Sequence, residues 1–406
     1  MQGTARVMTF ILAGGKGQRL EPLTWEYPKP AVTFGGGYKI VDFTLSNCLN
    51  SDIRNIHALV QYKSAELIRH LRDGWQMYFS TARGEYLEII PPQYAGTDQS
   101  YVGTADAIYQ NLYLIEQEKP ELVLILAGDH IYKMDYRLML SKHREKQADL
   151  TVGAVEVPLK EGDQFGIIQA DADNRIIGFQ EKPKVPSPIP NNPENCFASM
   201  GIYVFSPKVL SEMLRRDAED PSSNHDFGKD IITKLVGSHR VFTYSFIDEN
   251  RNRAKYWRDV GTLDAYYNAN MDLIGVDPVL NLYDANWPIR TAPIQAPPAK
   301  TVFQDDGRSG IALDSMTSPG CIVSGGRVIH SILSPKVHIH SWTHVEDSIL
   351  FEGVDVARYA KIRRAIIDEG VRVPSHAEIG YDPEKDRKRF MVTEGGIVVV
   401  AKNAKF

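Results

Sequence analysis

The sequence has few cysteines and no long hydrophobic segment. Its three cysteines, Cys48, Cys196 and Cys321, are widely separated and form no C-x-x-C pair, which argues against a disulfide framework or a thiolate metal site. No apolar run approaches about eighteen residues, and the first residues are polar, so we expect neither a membrane span nor an export signal. These absences predict a cytoplasmic protein.

The sequence also lacks a strong charge of either sign. A net charge of -5 and a pI near 6.1 give no general attraction to nucleic acid or to an anionic membrane, so neither is expected as a partner. Any anion site must therefore be a local cluster of basic residues. The 406 residues, 43% hydrophobic and 24% charged, are typical of a soluble globular chain long enough for two domains.

The first thirty residues contain such a basic cluster. An apolar run over residues 7–13 breaks into Gly14-Gly15-Lys16-Gly17, and Arg19 and Lys29 follow. Backbone N–H groups exposed at glycines, with cationic side chains beside them, favour a triphosphate. The loop matches neither the P-loop nor the dinucleotide fingerprint, and an ordinary surface turn after a buried strand is the alternative interpretation.

Residues 7–275 alternate short β-branched runs with longer amphipathic stretches, including predicted helices over 104–118 and 135–147. This alternation predicts an α/β domain, residues 1–275, with a mostly parallel sheet. Ligands then belong at the carboxyl ends of the strands. The proline-rich stretch 276–304 predicts a connector, which leaves residues 305–406 as a second domain.

The second domain carries a repeat of seventeen residues. Each period has apolar positions about six, five and six residues apart, which predicts a triangular parallel β-helix that packs against the first domain or other subunits. The repeating positions are Ile322, Ile339, Val356 and Val373; Val328, Val345, Ile362 and Ile379; and Ile332, Ile349 and Ile366, with Leu333, Leu350 and Ile367 beside them.

Four histidines, His330, His338, His340 and His344, lie within these repeats. They suggest a metal site, but polar residues at outward or corner positions are the simpler interpretation. We therefore assign them no role at this point.

Two acids occupy positions suited to metal binding. Asp129 follows the predicted strand 122–127, and Asp259 precedes a predicted turn and helix. Two carboxylates can hold a Mg²⁺ ion that also contacts phosphate oxygens, whereas an aspartate after a strand is often simply a helix N-cap. The sequence alone leaves both interpretations open.

A further acid and lysine, Glu181 and Lys182, precede a proline between these two aspartates. The lysine suits a sugar phosphate and the carboxylate a sugar hydroxyl, although a solvated strand end accounts for the pair equally well. The clusters 198–201 and 225–230 offer further hydroxyl and carboxylate groups for a monosaccharide, or alternatively helix caps and turns.

Seven motifs spread along nearly the whole chain form a pattern together. They are Leu12-Ala13-Gly14-Gly15-x-Gly17-x-Arg19-Leu20, Lys29-Pro30-Ala31-Val32, Gly103-Thr104-Ala105-Asp106-Ala107, Ala127-Gly128-Asp129-His130-Ile131-Tyr132, Glu181-Lys182-Pro183, Ala198-Ser199-Met200-Gly201-Ile202-Tyr203 and Tyr256-Trp257-Arg258-Asp259-Val260-Gly261-Thr262. This pattern resembles the sugar nucleotidyltransferase family. The segments 46–48, 128–133, 225–230 and 286–291 are similar to its bacterial ADP-glucose-forming branch, the glucose-1-phosphate adenylyltransferases.

The resemblance implies a Rossmann-like nucleotidyltransferase domain, then a left-handed parallel β-helix, and transfer of AMP from ATP to α-D-glucose 1-phosphate. It assigns catalysis to Asp129, Arg19 and Lys29, and Mg²⁺ to Asp129 and Asp259. It assigns ATP to Leu12, Ala13, Gly14, Gly15, Lys16, Gly17, Gln61, Gly103 and Thr104. It assigns glucose 1-phosphate to Tyr101, Gly166, Glu181, Lys182, Ser199 and Asp226. A homotetramer is also expected from the resemblance.

The activator site of the family is the part that does not carry over. Glu26, Tyr27, Thr33 and Glu369 stand where basic residues are usual, which leaves Lys39, Arg387, Arg389 and Lys402 as candidate effector ligands. Three alternatives to the main interpretation stay open: a related enzyme that uses another nucleotide, a bifunctional enzyme with an acyltransferase β-helix, and a non-catalytic regulatory protein.

Overall fold

Two structural units follow one another along the chain. The computed structural model describes residues 6–92, 100–190, 192–248, 253–305 and 308–406. A sheet flanked by helices forms the N-terminal unit, and short parallel strands form the C-terminal one. Within the described ranges, the helices are too short or too polar to cross a bilayer.

A nine-stranded sheet forms the centre of the N-terminal unit. At its middle, Val7–Leu12 lies between Asn55–Leu59 and Leu122–Ala127 and pairs with both in parallel. Because parallel strands end at the same edge of a sheet, the segments that follow these three strands meet there. Asn195–Phe205 extends the sheet in the antiparallel direction. The α/β prediction is confirmed.

The remaining strands complete this sheet or form small two-stranded ribbons beside it. The other strands of the large sheet are Tyr86–Ile90, Leu150–Pro158, Gly166–Ala170, Ile176–Glu181 and Val241–Ser245. The ribbons pair Thr33–Phe34 with Tyr38–Lys39, Ile131–Tyr132 with Trp257–Arg258, and Ile247–Asp248 with Arg253–Ala254.

Helices cover both faces of the sheet. They are Ile40–Asn50, Ala65–Trp75, Thr104–Tyr109, Leu112–Glu118, Tyr136–Glu145, Pro207–Ala218, Thr233–Leu235 and Leu263–Met271, with the π-helical turn Phe227–Ile232 and the 3₁₀ turns Gln18–Leu20, Lys29–Ala31, Gln76–Tyr78, Thr81–Arg83 and Leu159–Gln164. The side chains of Val7–Leu12 alternate between two cores, with Phe10 in one and Ile11 in the other.

The predicted continuous helix over 104–118 is wrong. The structure has two helices, Thr104–Tyr109 and Leu112–Glu118, separated at Gln110 and Asn111. The side-chain amide of the buried Asn111 donates to the carbonyl oxygen of Ala107 at 2.8 Å. An asparagine side chain competes in this way with the helical hydrogen bonds. The backbone N–H of Asn111 donates to the carbonyl oxygen of Ile108 instead. The helix predicted over 135–147 is present as Tyr136–Glu145.

The C-terminal unit is a parallel β-helix, as predicted. Most of its strands stack in three sheets of parallel strands, one for each side of the coil. Two pairings among the described strands are antiparallel: Met391–Val392 with Val398–Val400 at the edge of one sheet, and Gln304–Asp305 with Arg308–Ser309 in a separate ribbon. The strands are Lys300–Val302, Gln304–Asp305, Arg308–Ser309, Ile311–Leu313, Met316–Thr317, Ile322–Ser324, Arg327–Ile329, Ile332–Leu333, His338–Ile339, His344–Glu346, Ile349–Leu350, Asp355–Val356, Lys361–Arg363, Ala365–Ile367, Arg372–Val373, Glu378–Ile379, Met391–Val392 and Val398–Val400, and the helix Pro383–Arg387 interrupts the last coil. These features match a left-handed parallel β-helix.

One of the predicted inward positions is shifted. Val323, not Ile322, pairs in register with Ile339, and Val323 is buried whereas Ile322 is partly exposed. The reason is that the corner between Val323 and Val328 is one residue shorter than the corresponding corner after Ile339. The seventeen-residue spacing holds at the other repeating positions along the three sheets.

The two units share a hydrophobic core. Ile332, Ile349, Ile366 and Val399 from one side of the β-helix belong to the same buried cluster as the residues below the large sheet. At this junction the ring of Tyr266 meets that of Phe351 edge-on at 6.4 Å. The β-helix therefore packs against the first unit, one of the two arrangements expected from its flat outer faces.

The proline-rich connector lies against the helix Ile40–Asn50. The indole N–H of Trp287 donates to the side-chain oxygen of Asn47 at 2.9 Å. The guanidinium of Arg290 donates to the side-chain oxygen of Asn50 at 2.7 Å. The segments 46–48 and 286–291 are thus in contact.

Candidate active site

A cavity of about 790 Å³ opens at the edge where the central parallel strands end. Many of the predicted site residues line it: Leu12, Gly14, Gly15, Gly17, Arg19, Lys29, Gln61, Tyr101, Gly103, Thr104, Asp129, Gly166, Glu181, Lys182, Ser199, Asp226 and Asp259. The expectation that ligands belong at this edge agrees with the position of the cavity.

Lys29 joins the two predicted metal ligands. Its ammonium lies 2.7 Å from Asp259 Oδ1 and 3.0 Å from Asp129 Oδ2, and its side chain is only 7% exposed. Burial lowers the pKa of Lys29, but the charges of Asp129 and then Asp259 raise it by more. The pKa of Lys29 is therefore above its usual value. Burial raises the pKa of Asp129, but Lys29 and then His130 lower it more, to about 2. Both groups are therefore charged at neutral pH.

The glycine loop brings its backbone against this lysine. Gly17 has a φ of 65°, and a Cβ there would lie 2.8 Å from the Cβ of Lys29, so only glycine fits without strain. The backbone of the loop lines the cavity at Gly14, Gly15 and Gly17.

Two residues of the predicted ATP set do not line the cavity. Lys16 directs its ammonium towards the ring of Tyr62, 5.8 Å from the centroid. Ala13 is buried in the sheet, where its N–H donates to the carbonyl oxygen of Leu59. The structure therefore supports a backbone role for this loop more than a side-chain role.

Gln61 and Tyr101 are held together at one end of the cavity. The side-chain oxygen of Gln61 accepts from the N–H of Tyr101 at 2.6 Å, and its amide donates to the Tyr101 carbonyl at 3.2 Å. Next to them, a Cβ on Gly103 would overlap the carbonyl oxygen of His225. Glycine is therefore required for the chain to pass this close.

Glu181 and Lys182 lie on another wall, at the end of Ile176–Glu181. Burial, and then the charge of Asp226, raises the pKa of Glu181. Lys182 has a φ of 45°, a left-handed conformation that costs a non-glycine residue on the order of 1 kcal/mol and is common at functional sites. Its ammonium lies 3.7 Å from Glu181, and the side chain is 60% exposed, so the ammonium can meet an anion.

Asp226 acts as a helix cap, one of the alternatives for its segment. Its Oδ1 accepts from the N–H groups of Gly228 and Lys229, and its Oδ2 accepts from the hydroxyl of Thr104 at 3.0 Å. Both carboxylate oxygens thus have protein partners while the residue also lines the cavity.

A bulge in the long antiparallel strand places Ser199 in the cavity. The register between Asn195–Phe205 and Leu150–Pro158 shifts after Ser199 and resumes at Tyr203. β-bulges of this kind redirect side chains beside active sites. The bulge was not predicted, because its only signal in the sequence is the glycine that follows Met200.

His130 is a site residue to which the sequence assigns no role. Its Nε2 lies 3.5 Å from Asp129 and 3.8 Å from Asp259, and its ring meets that of Trp257 edge-on at 5.1 Å. Its buried Nδ1 has no hydrogen-bond partner among the described residues. The available signal was its position directly after Asp129.

The cavity also has lining residues to which the sequence assigns no individual role. They are Gln164, Phe165, Gly201, Tyr203 and Gly228.

The donor set fits a hard divalent cation. Asp129, His130 and Asp259 each present a ligand atom within 4.8 Å of the others, and two of the three are carboxylates. Mg²⁺ prefers one or two carboxylates together with phosphate oxygens. These residues, two of which also contact the ammonium of Lys29, can therefore hold a cation next to a bound phosphate chain.

Two of the four candidate effector ligands meet in a second cavity, of about 750 Å³, between the two units. Lys39 and Lys402 line it together with Glu26, Tyr27, Thr33 and Glu369, the positions that depart from the family pattern.

The charges at this second cavity are largely paired. The Lys402 ammonium lies 3.4 Å from Glu26 and 3.3 Å from Glu369. Arg387 and Arg389 do not line the cavity, and their guanidinium groups pair with nearby acids around the helix Pro383–Arg387. The four basic residues therefore do not form one cluster.

Comparison with known proteins agrees with the two units. The nucleotidyl transferase family model matches residues 8–275, and the model of the GlmU-like C-terminal hexapeptide matches residues 297–400. Nucleotidyltransferases of this family generally use divalent metal ions.

Curated relatives match over nearly the whole chain. A glucose-1-phosphate adenylyltransferase of Rhodopirellula baltica is 54% identical over 98% of this chain and 90% of its own length. Proteins of the same name from Koribacter versatilis and Methylococcus capsulatus are each 51% identical, over 97% and 98% of this chain and 94% and 93% of their own lengths.

Proposed function

Because this chain belongs to the glucose-1-phosphate adenylyltransferase family, we propose that it transfers AMP from ATP to α-D-glucose 1-phosphate. The products are pyrophosphate and ADP-glucose, the glucosyl donor for glycogen synthesis. The observation that carries the proposal is the ammonium of Lys29 held by Asp129 and Asp259, in a cavity that a glycine loop enters from one side and Glu181 and Lys182 from another.

The chemistry is an in-line displacement at phosphorus. A phosphate oxygen of glucose 1-phosphate forms a bond to the α-phosphorus of ATP while the bond to the pyrophosphate oxygen breaks, and the electron pair leaves with pyrophosphate. Catalysis therefore consists of positioning the two substrates and neutralising charge. Arg19, Lys29 and the backbone of residues 14–17 neutralise and hold the β- and γ-phosphates.

The remaining residues bind the two ends of the substrate pair. Gln61, Gly103 and Thr104 line the adenine end. Lys182 contacts the phosphate of glucose 1-phosphate, and Glu181 accepts from a sugar hydroxyl. Tyr101, Gly166, Ser199 and Asp226 complete the sugar site, with the backbone beside Asp226 contributing because its carboxylate already caps a helix.

The divalent ion in this proposal is Mg²⁺. Asp129 and Asp259 would hold it, and when bound it neutralises charge on the phosphate oxygens. The pairing of both carboxylates with Lys29 supports this assignment, because it shows that the two carboxylates lie close together.

Assembly, location and regulation extend the proposal. We place the domains at 1–275 and 305–406, joined by the connector 276–304, and expect a cytoplasmic homotetramer. An anionic effector would bind in the second cavity at Lys39 and Lys402, with Arg387 and Arg389 outside it. Activity measured with and without fructose 6-phosphate, fructose 1,6-bisphosphate and pyruvate tests this regulation, and a flat response rejects it.

A substrate grid tests the proposed reaction. Pyrophosphate release is measured with Mg²⁺ and ATP, TTP, UTP or CTP, each against glucose 1-phosphate and N-acetylglucosamine 1-phosphate. The highest kcat/KM is expected for ATP with glucose 1-phosphate. A preference for another pair would identify a different sugar nucleotidyltransferase, and no turnover with any pair would indicate a non-catalytic protein.

A further inference from the structure

Three potential metal ligands meet on the outside of the β-helix, far from the catalytic chemistry in sequence. His338 lies on the strand His338–Ile339, and His340 directly follows that strand. Asp355 lies on the next coil, where it is the register partner of His338. Adjacent parallel strands are about 4.8 Å apart, so this pairing fixes the aspartate beside the histidines.

The distances within this cluster are close to those of a coordination sphere. Asp355 Oδ1 lies 2.9 Å from His340 Nε2 and 3.8 Å from His338 Nδ1. The ligand atoms of the three residues all lie within 4.8 Å of one another. Ligands about 2.0–2.1 Å from a tetrahedral zinc ion are about 3.3 Å apart, so small side-chain rotations complete the arrangement.

The two imidazoles are held in a defined orientation. Their rings stack with centroids 3.9 Å apart and an interplanar angle of 30°.

The side chains of His338, His340 and Asp355 are 36%, 33% and 44% exposed, which allows an ion to enter. Three protein ligands also leave a fourth position for water.

Other histidines on the β-helix lack this third partner. His330 Nδ1 pairs with Asp347 at 2.6 Å, and His344 Nε2 lies 3.7 Å from Glu346. Among the described residues, just one other set of three such ligands meets within the same distance, and it is the Asp129 cluster of the active site. A histidine beside an acid is therefore common on this surface, whereas two histidines with one acid are not.

We propose that His338, His340 and Asp355 bind a divalent transition-metal ion, with Zn²⁺ the best match to two imidazoles and one carboxylate. Because the ligands come from two successive coils, the ion links these coils. The sequence pattern favoured outward polar positions for these two histidines over a metal site, and this proposal reverses that preference.

Zinc titration of the metal-stripped full chain tests the site, with a chromophoric zinc chelator as competitor. Wild type is expected to bind one zinc per chain that the double variant His338→Gln/His340→Gln does not bind. Asp355→Asn, which keeps both imidazoles, is expected to weaken this binding at least tenfold. His330→Gln is the matched control, because it removes a histidine with a single acidic partner, and it is expected to bind zinc like wild type.

Two further measurements distinguish this site from the active-site cluster and from scattered zinc binding to surface histidines. Asp129→Asn removes a ligand from the active-site cluster, so the extra zinc must persist in that variant. Co²⁺ in wild type is expected to show visible absorption bands of a tetrahedral site, absent in the double variant. Equal zinc stoichiometry and affinity in wild type and the double variant would overturn the proposal, as would equal losses in the double variant and the His330→Gln control.

The double variant also reports on folding and catalysis. Its melting temperature without metal and its pyrophosphate release are expected to match wild type, because the site does not line the catalytic cavity. Zinc is expected to raise the melting temperature of wild type more than that of the double variant, which keeps just the active-site cluster among the described residues. If the double variant does not fold, Asp355→Asn provides the same comparison, and unchanged zinc affinity in that variant would reject the site.

Discussion

Replacement of Lys29 by methionine tests the centre of the active site most directly. The change keeps the length of the side chain but leaves Asp129 and Asp259 facing each other without the ammonium that lies 3.0 Å and 2.7 Å from them. The pKa of Asp129 is lowered from 3.8 to about 2, mainly by Lys29 once burial is overcome. This difference corresponds to about 2 kcal/mol of folding free energy, of which most is lost in the variant.

The folding free energy lost in Lys29→Met depends on pH. A carboxyl group whose pKa is lower in the folded state stabilises the protein above its unfolded pKa, and this contribution disappears as the pH falls from about 4 to about 2. The melting temperature of Lys29→Met is therefore expected to be about 2 °C below wild type at pH 7.5, given the unfolding entropy of a chain of this size. The difference is expected to shrink as the pH is lowered towards 3.

The same variant is expected to lose at least about 100-fold in kcat/KM, because a positioned charge on the phosphates is removed. Calorimetry and pyrophosphate release measure the two effects. Lys182→Met is the control for stability, since the Lys182 side chain is 60% exposed and an exposed ion pair contributes little. A melting temperature equal to wild type at pH 7.5, or kcat/KM within about threefold of wild type, would refute the reasoning.

Four more substitutions test separate parts of the structure. Lys182→Ala is expected to raise mainly the KM for glucose 1-phosphate, and Asp129→Ala to lower mainly kcat; similar small effects from both in steady-state kinetics would contradict these roles. Gly17→Ala is expected to lower the melting temperature and activity together, because its φ of 65° and its contact with the neighbouring lysine exclude a Cβ, and wild-type values would show that the loop adapts. Arg290→Ala removes the 2.7 Å bond to Asn50 and is expected to make the connector more susceptible to limited proteolysis, and an unchanged cleavage rate would argue against docking through this bond.

Sequence patterns predicted the parts of the fold that depend on repetition. The seventeen-residue period placed Val345, Ile362 and Ile379 in the interior of the β-helix because inward positions recur once for each side of the coil. The same period misplaced Ile322, because one shorter corner changes the register without changing the apolar character of the neighbouring residues.

The candidate site was predictable where residue type and position coincide. Asp129 follows a strand and Lys29 follows the glycine loop, and these two residues meet as an ion pair. His130 and the bulge after Ser199 were not assigned, because their placement depends on a partner strand and on Trp257, both distant in sequence. The break at Asn111 likewise depends on a side-chain hydrogen bond that periodicity cannot reveal.

The buried contact between the two units has a consequence for how the molecule unfolds. Ile349 and Ile366 lie in the same apolar cluster as the residues beneath the large sheet, so separating the units would expose both faces to water. We therefore expect neither unit to have an independent melting transition, and calorimetry should record one cooperative peak for the whole chain. The β-helix thus helps to stabilise the first unit. A chain cut within the connector would expose an apolar surface prone to aggregation.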